Sequence, residues 1–296
     1  DSTDFVEGGD GVDIIEVNGS DSTENFTITA NGTRVRFDRL APTPFALDIG
    51  TCERLVLNAN GGNDMFACTG NLAPLIQITA DGGPGEDSLL GSNGADVLIG
   101  GDDNDFIDGN QGADIILMGA GNDVFRWDPG DGSDIVEGQE GQDTIDFNGS
   151  GANELFDISA NGQRLRFVRN IGNITIDAGD IEQFDLQMLG GADGVTVHDL
   201  TQTDLEELNV ELAGTLGGTT GDAQTDHVVV NGTQGADIVH VAANAGIVEV
   251  VGLSSIVRVF RSEAANDSLI VNGLAGTDII TADPGVFALI MLTMNP

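Results

Sequence analysis

An all-β solenoid with about three long internal repeats is the fold class the sequence predicts, and three observations predict it. A glycine- and aspartate-rich unit of nine residues recurs in tandem in the first half of the chain. A longer unit, about 130 residues, opens with one such nonapeptide and returns further on. Between the glycines stand short apolar segments bounded by Gly, Asn and Asp, with no helical period anywhere. Repetition at a fixed period in strand-length pieces is the mark of a stack, in which each repeat buries its apolar face only against the next.

The short repeat carries the chemistry. From Gly82 the chain reads GGPGEDSLL, GSNGADVLI, GGDDNDFID, GNQGADIIL and MGAGNDVFR. Outlying copies are GQEGQDTID at 138–146 and GGDGVDIIE at 8–16. The template is G-G-x-G-x-D-x-U-x, with U apolar. Its glycines, led by Gly82, Gly91, Gly100 and Gly109, permit a tight turn through backbone angles that a side chain penalises. Such a turn directs carbonyl oxygens inward, and the aspartate at the sixth place adds a carboxylate. These aspartates are Asp87, Asp96, Asp105, Asp114 and Asp123 in the tandem run, with Asp143 and Asp13 in the outlying copies. The x-U-x that follows is a short strand with U facing the core: Leu89, Leu98, Ile107, Ile116 and Phe125, then Ile15 and Ile145. Calcium, a hard cation, takes roughly six to eight oxygen ligands. One turn cannot supply them; two stacked turns can.

This nonapeptide resembles the hemolysin-type calcium-binding repeat of RTX (repeats-in-toxin) proteins. The resemblance implies a right-handed parallel β-roll in which two nonapeptides make one rung, alternate turns stack, and several Ca2+ ions lie between them. It places Asp87, Asp105 and Asp123 on one edge, and Asp96 and Asp114 on the other. Two copies depart from the template: Asp103 replaces the fourth glycine of the third, and Met118 the first glycine of the fifth. Those turns are expected to bind weakly or with altered ligands. Asp226 holds the sixth place of a copy in which Gln224 replaces the glycine. Asp13 and Asp143 stand in copies without a tandem neighbour, and Asp64, Asp193 and Asp278 read as ordinary turn residues.

The long repeat organises the rest. GGDGVDIIEVNGS (8–20) returns as GQEGQDTIDFNGS (138–150), and NGTRVRF (31–37) as NGQRLRF (161–167). A partial third copy starts at GDAQTDHVVVNGT (221–233). The expected divisions are a first solenoid repeat over 1–80, the calcium-binding β-roll over 81–147, a second repeat over 148–220 and a partial third over 221–296. The start and end of the chain resemble the sequences that follow and precede the array. This predicts an excised or internal segment, or copies that associate end to end.

Composition narrows the function. The formal net charge is −39, and all ten basic residues are arginines. A compact state of that charge repels itself unless cations neutralise it. Nucleic acid is excluded as a partner for want of a basic stripe, and membrane insertion for want of about 18 consecutive apolar residues. The first ten residues show no signal-peptide pattern. Cys52 and Cys68 sit about one rung apart; a disulfide between rungs is expected in an oxidising compartment, with two buried thiols as the alternative. His198, His227 and His240 lack ligand spacing, and the sequons at Asn18, Asn148 and Asn231 read as turns. Arg34/Arg36 and Arg164/Arg166 share strand faces, where their stems lie over a solvated, acidic surface. No HExxH or GxSxG stretch occurs, and without Tyr or Lys the chain lacks groups that polysaccharide-acting β-helix enzymes use. The expectation is a non-enzymatic, calcium-binding structural module of a secreted or cell-surface protein such as an adhesin, surface layer or filament. The alternatives are a calcium-triggered folding and secretion module of a larger RTX toxin or enzyme, and a polysaccharide-acting enzyme. A carbohydrate-binding surface would need exposed aromatics, and the single tryptophan, Trp127, is expected to cap the core instead.

Overall fold

The computed structural model describes residues 3–296. Among them every regular element is a strand except two short 3-10 turns, Ile171–Asn173 and Pro284–Ala288. The fold is an all-β, predominantly parallel β-roll solenoid, organised as two compact units, Asp1–Asp143 and Thr144–Pro296.

In the first unit, from Arg54 onward, the chain alternates between two sheets, one strand to each in turn. One sheet stacks Met65–Thr69, Ser88–Leu90, Phe106–Asp108 and Val124–Trp127; the other stacks Arg54–Asn58, Gln77–Pro84, Val97–Asp102, Ile115–Gly121 and Ile135–Gly141. All these neighbours are parallel. Ser88 aligns with Phe106 and Phe106 with Val124, and Thr79 with Val97 and Val97 with Ile115, so each rung advances by two nonapeptides. The step is two residues longer where Ile115 meets Ile135, because the insert carrying Asp128–Asp131 enlarges one turn. It is longer still where Met65 meets Ser88. The core is the line of U side chains: Leu89, Leu98, Ile107, Ile116 and Phe125 are each at most 1 % exposed. Ile145 is likewise buried in the second unit, and Ile15 is half-buried. Trp127 closes the array, fully buried, with its indole N–H donating to the Gly132 carbonyl at 2.8 Å.

The long repeat has a structural counterpart that the parallel expectation did not include: a three-stranded antiparallel meander in each copy. These are Asn25–Asn31 with Arg34–Ala41 and Phe45–Gly50, then Leu155–Asn161 with Arg164–Arg169 and Ile174–Gly179, then Ile238–Asn244 with Ile247–Val251 and Ile256–Phe260. Turn chemistry explains them. Asn31 pairs with Arg34 across Gly32-Thr33, and Asn161 with Arg164 across Gly162-Gln163; Gly32 and Gly162 hold φ of 68° and 69° at the first turn position. In the third copy Ala245 and Gly246 are both left-handed. Two-residue turns of these kinds match strand twist and return the chain antiparallel. In the second unit parallel rungs flank the meanders: Thr144–Asn148, Gln183–Gln187, Glu207–Glu211 and Ile256–Phe260 in one sheet, and Leu155–Asn161, Gly194–Val197, His227–Asn231, Ser268–Asn272 and Met291–Asn295 in the other. A cluster of Phe147, Phe156, Phe167 and Phe184 fills its core, with Phe147 and Phe167 4.4 Å apart between ring centres.

Cys52 and Cys68 are free thiols, not a disulfide. They stand closer together in sequence than one local rung step, so stacking does not superpose them. Cys52 precedes Arg54–Asn58 in one sheet, whereas Cys68 lies in Met65–Thr69 of the other. The paired arginines meet acids as the alternation predicts: Arg34 binds Glu7 and Asp48, Arg36 binds Asp38, and Arg164 binds Asp177.

Candidate metal centre

The turns stack into ladders of aspartates. On one edge of the first unit the Asp64 N–H donates to Asp87 Oδ1, Asp87 to Asp105, Asp105 to Asp123 and Asp123 to Asp143, over 2.7–3.0 Å. On the other edge Asp96 donates to Asp114 and Asp114 to Asp134, at 2.8 and 2.9 Å. Each carboxylate therefore spends Oδ1 on the backbone of the preceding rung, which fixes its orientation. The second oxygen is left over. Oδ2 of Asp64, Asp87, Asp105, Asp114, Asp123 and Asp134 is buried and accepts no hydrogen bond.

In the turns of Asp87, Asp105 and Asp114 the orphaned oxygen faces a space that the first glycine of the turn keeps open, and the Asp96 turn has the same glycine. A Cβ added to Gly82 would lie 2.2 Å from Asp87 Oδ2 and 2.8 Å from the Gly100 carbonyl oxygen. At Gly100 it would lie 2.4 Å from Asp105 Oδ2 and 2.2 Å from the Met118 carbonyl. At Gly109 it would meet Asp114 Oδ2 at 2.6 Å, and at Gly91 the Gly109 carbonyl at 2.4 Å. A carboxylate oxygen of one turn and a carbonyl oxygen of the stacked turn thus converge where no side chain fits. Burial pushes the carboxyls up: Asp105 and Asp114 to about 8 and Asp87 to about 7, with neighbouring aspartates adding to the rise. An isolated buried carboxylate with no partner is strongly unfavourable, and a cation is the group that removes the penalty. The oxygen-only donor set fits Ca2+. Among the described residues no three His, Cys, Asp or Glu side chains converge on one point. A site here would draw one carboxylate from a turn and the rest of its oxygens from the backbone.

Every tandem candidate sits in a ladder, but not all are alike. Asp96 is the exception: the Ser92 N–H donates to its Oδ2 at 2.6 Å and the Ser92 hydroxyl to its Oδ1 at 3.2 Å. Asp143, assigned no stacked neighbour from sequence, does stack, because the lengthened step brings it beneath Asp123. Asp13 donates its N–H to Glu53 and keeps a buried, unpartnered Oδ2. Sequence reasoning missed Asp134 and treated Asp64 and Asp193 as ordinary turns. The signal that finds them is an aspartate directly before a buried x-U-x strand, at a rung step longer than two nonapeptides. In the second unit a further ladder runs from Glu154 to Asp193, Asp226 and Asp267, over 2.7–3.2 Å. His198, His227 and His240 pair with Asp157, Ser268 and Thr281 on the surface.

Stacked parallel rungs with an aspartate at each turn, and an open glycine space at Gly82, Gly91, Gly100 and Gly109, define a calcium-binding β-roll. The family model for the RTX calcium-binding nonapeptide repeat, in four copies, matches at residues 81–116, 90–125 and 130–154. The chain therefore carries RTX calcium-binding repeats. No curated protein sequence matches it. A solved structure with some likeness is the extracellular lipase LipA from Serratia marcescens, at 13 % identity and a TM-score of 0.17. The match covers 68 % of this chain and spans 43 % of the lipase.

Proposed function

We propose that this protein is an extracellular, non-catalytic β-solenoid module whose folding is coupled to calcium. One observation carries the reading: the row of buried carboxylate oxygens, Oδ2 of Asp87, Asp105 and Asp114, with no protein partner. Without a cation these rungs confine like charges in a low-dielectric stack, in a chain of net charge −39. Where a site is not preformed, metal-binding free energy becomes folding free energy. Such a module suits a medium rich in calcium, which the outside of a cell provides, and the RTX type of repeat supports the same location. The non-catalytic assignment is supported by where the perturbed carboxyls lie. Asp87, Asp105 and Asp114 are each held through Oδ1 by the backbone of the stacked turn. The reading includes association end to end, with flanking repeats of the same protein or with another copy, supported by the half-exposed Met291 on Met291–Asn295; light scattering in calcium tests the association between copies.

Far-UV circular dichroism and sedimentation of the full chain test the main proposal. In chelator the chain should be expanded and poor in β-structure, and millimolar calcium should compact it. Identical spectra and identical sedimentation in both conditions would overturn the coupling.

A further inference from the structure

Most of the turns fall into two backbone states, set by their second residue; the Asp226 turn follows neither, its Oδ2 being unpartnered although Asp222 is not left-handed. In the first state that residue is left-handed: Gly83 (φ 89°), Gly101 (127°), Asn110 (57°), Gly119 (115°) and Gly130 (126°) precede Asp87, Asp105, Asp114, Asp123 and Asp134. Oδ2 of the aspartate four residues on then accepts no hydrogen bond. In the second state the residue is not left-handed, and its N–H donates to that very carboxylate. The donors are Ser20 to Glu24, Ser92 to Asp96, Ser150 to Glu154, Thr233 to Asp237 and Glu263 to Asp267, all over 2.6–2.7 Å. The other oxygen is taken too: by the Ser92 and Thr233 hydroxyls at Asp96 and Asp237, by Arg39 and Arg169 at Glu24 and Glu154, and by the Asp226 N–H at Asp267. A hydrogen aimed at the carboxylate occupies the approach a cation would use and repels it. These turns are closed by the protein's own donors.

The turn of Asp193, outside every matched repeat, is in the open state. Its second residue, Leu189, is left-handed at φ 62°, a region that a side chain of this kind rarely enters. Asp193 is 1 % exposed, its Oδ1 is held by the Glu154 N–H at 2.7 Å, and its Oδ2 is buried without a partner. Met188 takes the first place, as Met118 does in the Asp123 turn, and the fourth place copies the array. Gly191, at φ 134°, approaches the Ala152 carbonyl of the stacked turn so closely that a Cβ would lie 2.6 Å away. Gly112 approaches the Gly94 carbonyl in the same way, at 2.4 Å. The turn thus keeps the backbone and the orphaned oxygen of the array while lacking the two leading glycines by which a sequence reveals it.

We propose that the Asp193 turn is a calcium site of the second unit, and that the Asp96 turn, although inside the repeat array, is not one, the second residue of each turn making the choice. The inference rests on the calcium-binding reading above and is tested separately from it. Bound Ca2+ is counted by equilibrium dialysis on the full chain at saturating calcium, with circular dichroism confirming the fold of each variant. Asp193→Asn should bind one ion fewer than the wild type, and Asp96→Asn should bind as many. If Asp105→Asn loses calcium while Asp193→Asn loses none, the inference fails and the functional reading stands. An ion lost from Asp96→Asn also overturns it. A wild type that binds no calcium overturns the functional reading itself. Should Asp193→Asn not fold, Leu189→Gly decides: it relieves a left-handed leucine and should tighten one calcium-binding step several-fold, whereas an unchanged titration counts against the site.

Discussion

The Asp105 turn and the Glu154 turn occupy the same place in a rung, and each holds an acid less than a tenth exposed, yet they meet its charge in opposite ways. At Glu154 the chain supplies the counterion. Arg169, on the next strand of the meander and only 5 % exposed, pairs with the carboxylate, and the Ser150 N–H takes the other oxygen at 2.6 Å. Glu24 repeats the arrangement with Arg39 at 2.9 Å and Ser20. At Asp105 the chain supplies one N–H and leaves the other oxygen bare. The antiparallel meander makes the difference, because it delivers an arginine to the turn on its own strand. Within the array the nonapeptide rhythm leaves only a very short strand, too short to bring one. The comparison teaches that a solenoid turn with a buried acid needs a partner for both carboxylate oxygens, and that the partner can be built in, as an arginine or a neutral donor, or taken from solution.

The largest expected effect follows from the partner being external. Protons should replace calcium in chelator. Burial raises Asp87 to about 7 and Asp105 and Asp114 to about 8, from an ordinary value of 3.8. A group whose pKa is raised on folding contributes stability that is complete below its unfolded value and lost as pH rises through its folded value. The calcium-free chain should therefore be most structured near pH 4 and lose β-structure progressively up to about pH 8, while the calcium-loaded chain stays flat over that window. Circular dichroism against pH in chelator and in calcium checks both limbs. A chelated chain that gains structure with rising pH would show that the carboxylates are not the obstacle to folding.

The built-in partner gives the next effect. Arg169→Met should leave the Glu154 carboxylate buried beside a neutral side chain, at a cost of about 3–5 kcal/mol. The loss should be the same at any calcium concentration above saturation, because no calcium-accessible oxygen is involved. Urea unfolding in calcium measures it, and full rescue by added calcium would show that a cation can enter the closed turn.

Much of this was legible in the sequence, and the boundary of legibility has a physical cause. The nonapeptides announce the two-nonapeptide rung because their glycines and aspartates recur at fixed places, and the buried series Leu89 to Phe125 follows from the same count. The meanders were written in NGTR and NGQR, but the same residues serve many turns, and only the register of Asn31 with Arg34 shows a two-residue reversal. Asp64, Asp134 and Asp193 were hidden because their rungs are longer than two nonapeptides and their second positions are Asn60, Gly130 and Leu189, which do not stand in a double-glycine frame. At Leu189 the left-handed φ is a property of the stacked backbone, not of the residue type, whereas Asn60 and Gly130 enter that region readily but in no recognisable frame. Ser92 hid in the opposite sense. It sits in a near-regular repeat, and only its hydrogen bonds to Asp96 show that the carboxylate is already engaged.

The sharpest form of the comparison is one substitution whose sign depends on the medium. Asp105→Asn keeps the shape of the side chain and an acceptor for the Asp87 N–H, now held at 2.7 Å, but removes the charge. In chelator the wild-type Oδ2 is buried and unpartnered, beside the negative fields of Asp87 and Asp123. Removing that charge should stabilise whatever structure the calcium-free chain retains at pH 8, where the carboxyl would otherwise have to ionise. In calcium the same change deletes an anionic ligand from the middle of the edge, and should cost about 1–3 kcal/mol, the usual loss when a charged partner is withdrawn from a buried contact. The two effects differ in sign although the covalent change is identical. Thermal unfolding at pH 8, with chelator and with millimolar calcium, reads both. A midpoint that falls equally in the two media would make Asp105 a packing residue, and a midpoint that rises in chelator and falls in calcium assigns its carboxylate to the cation.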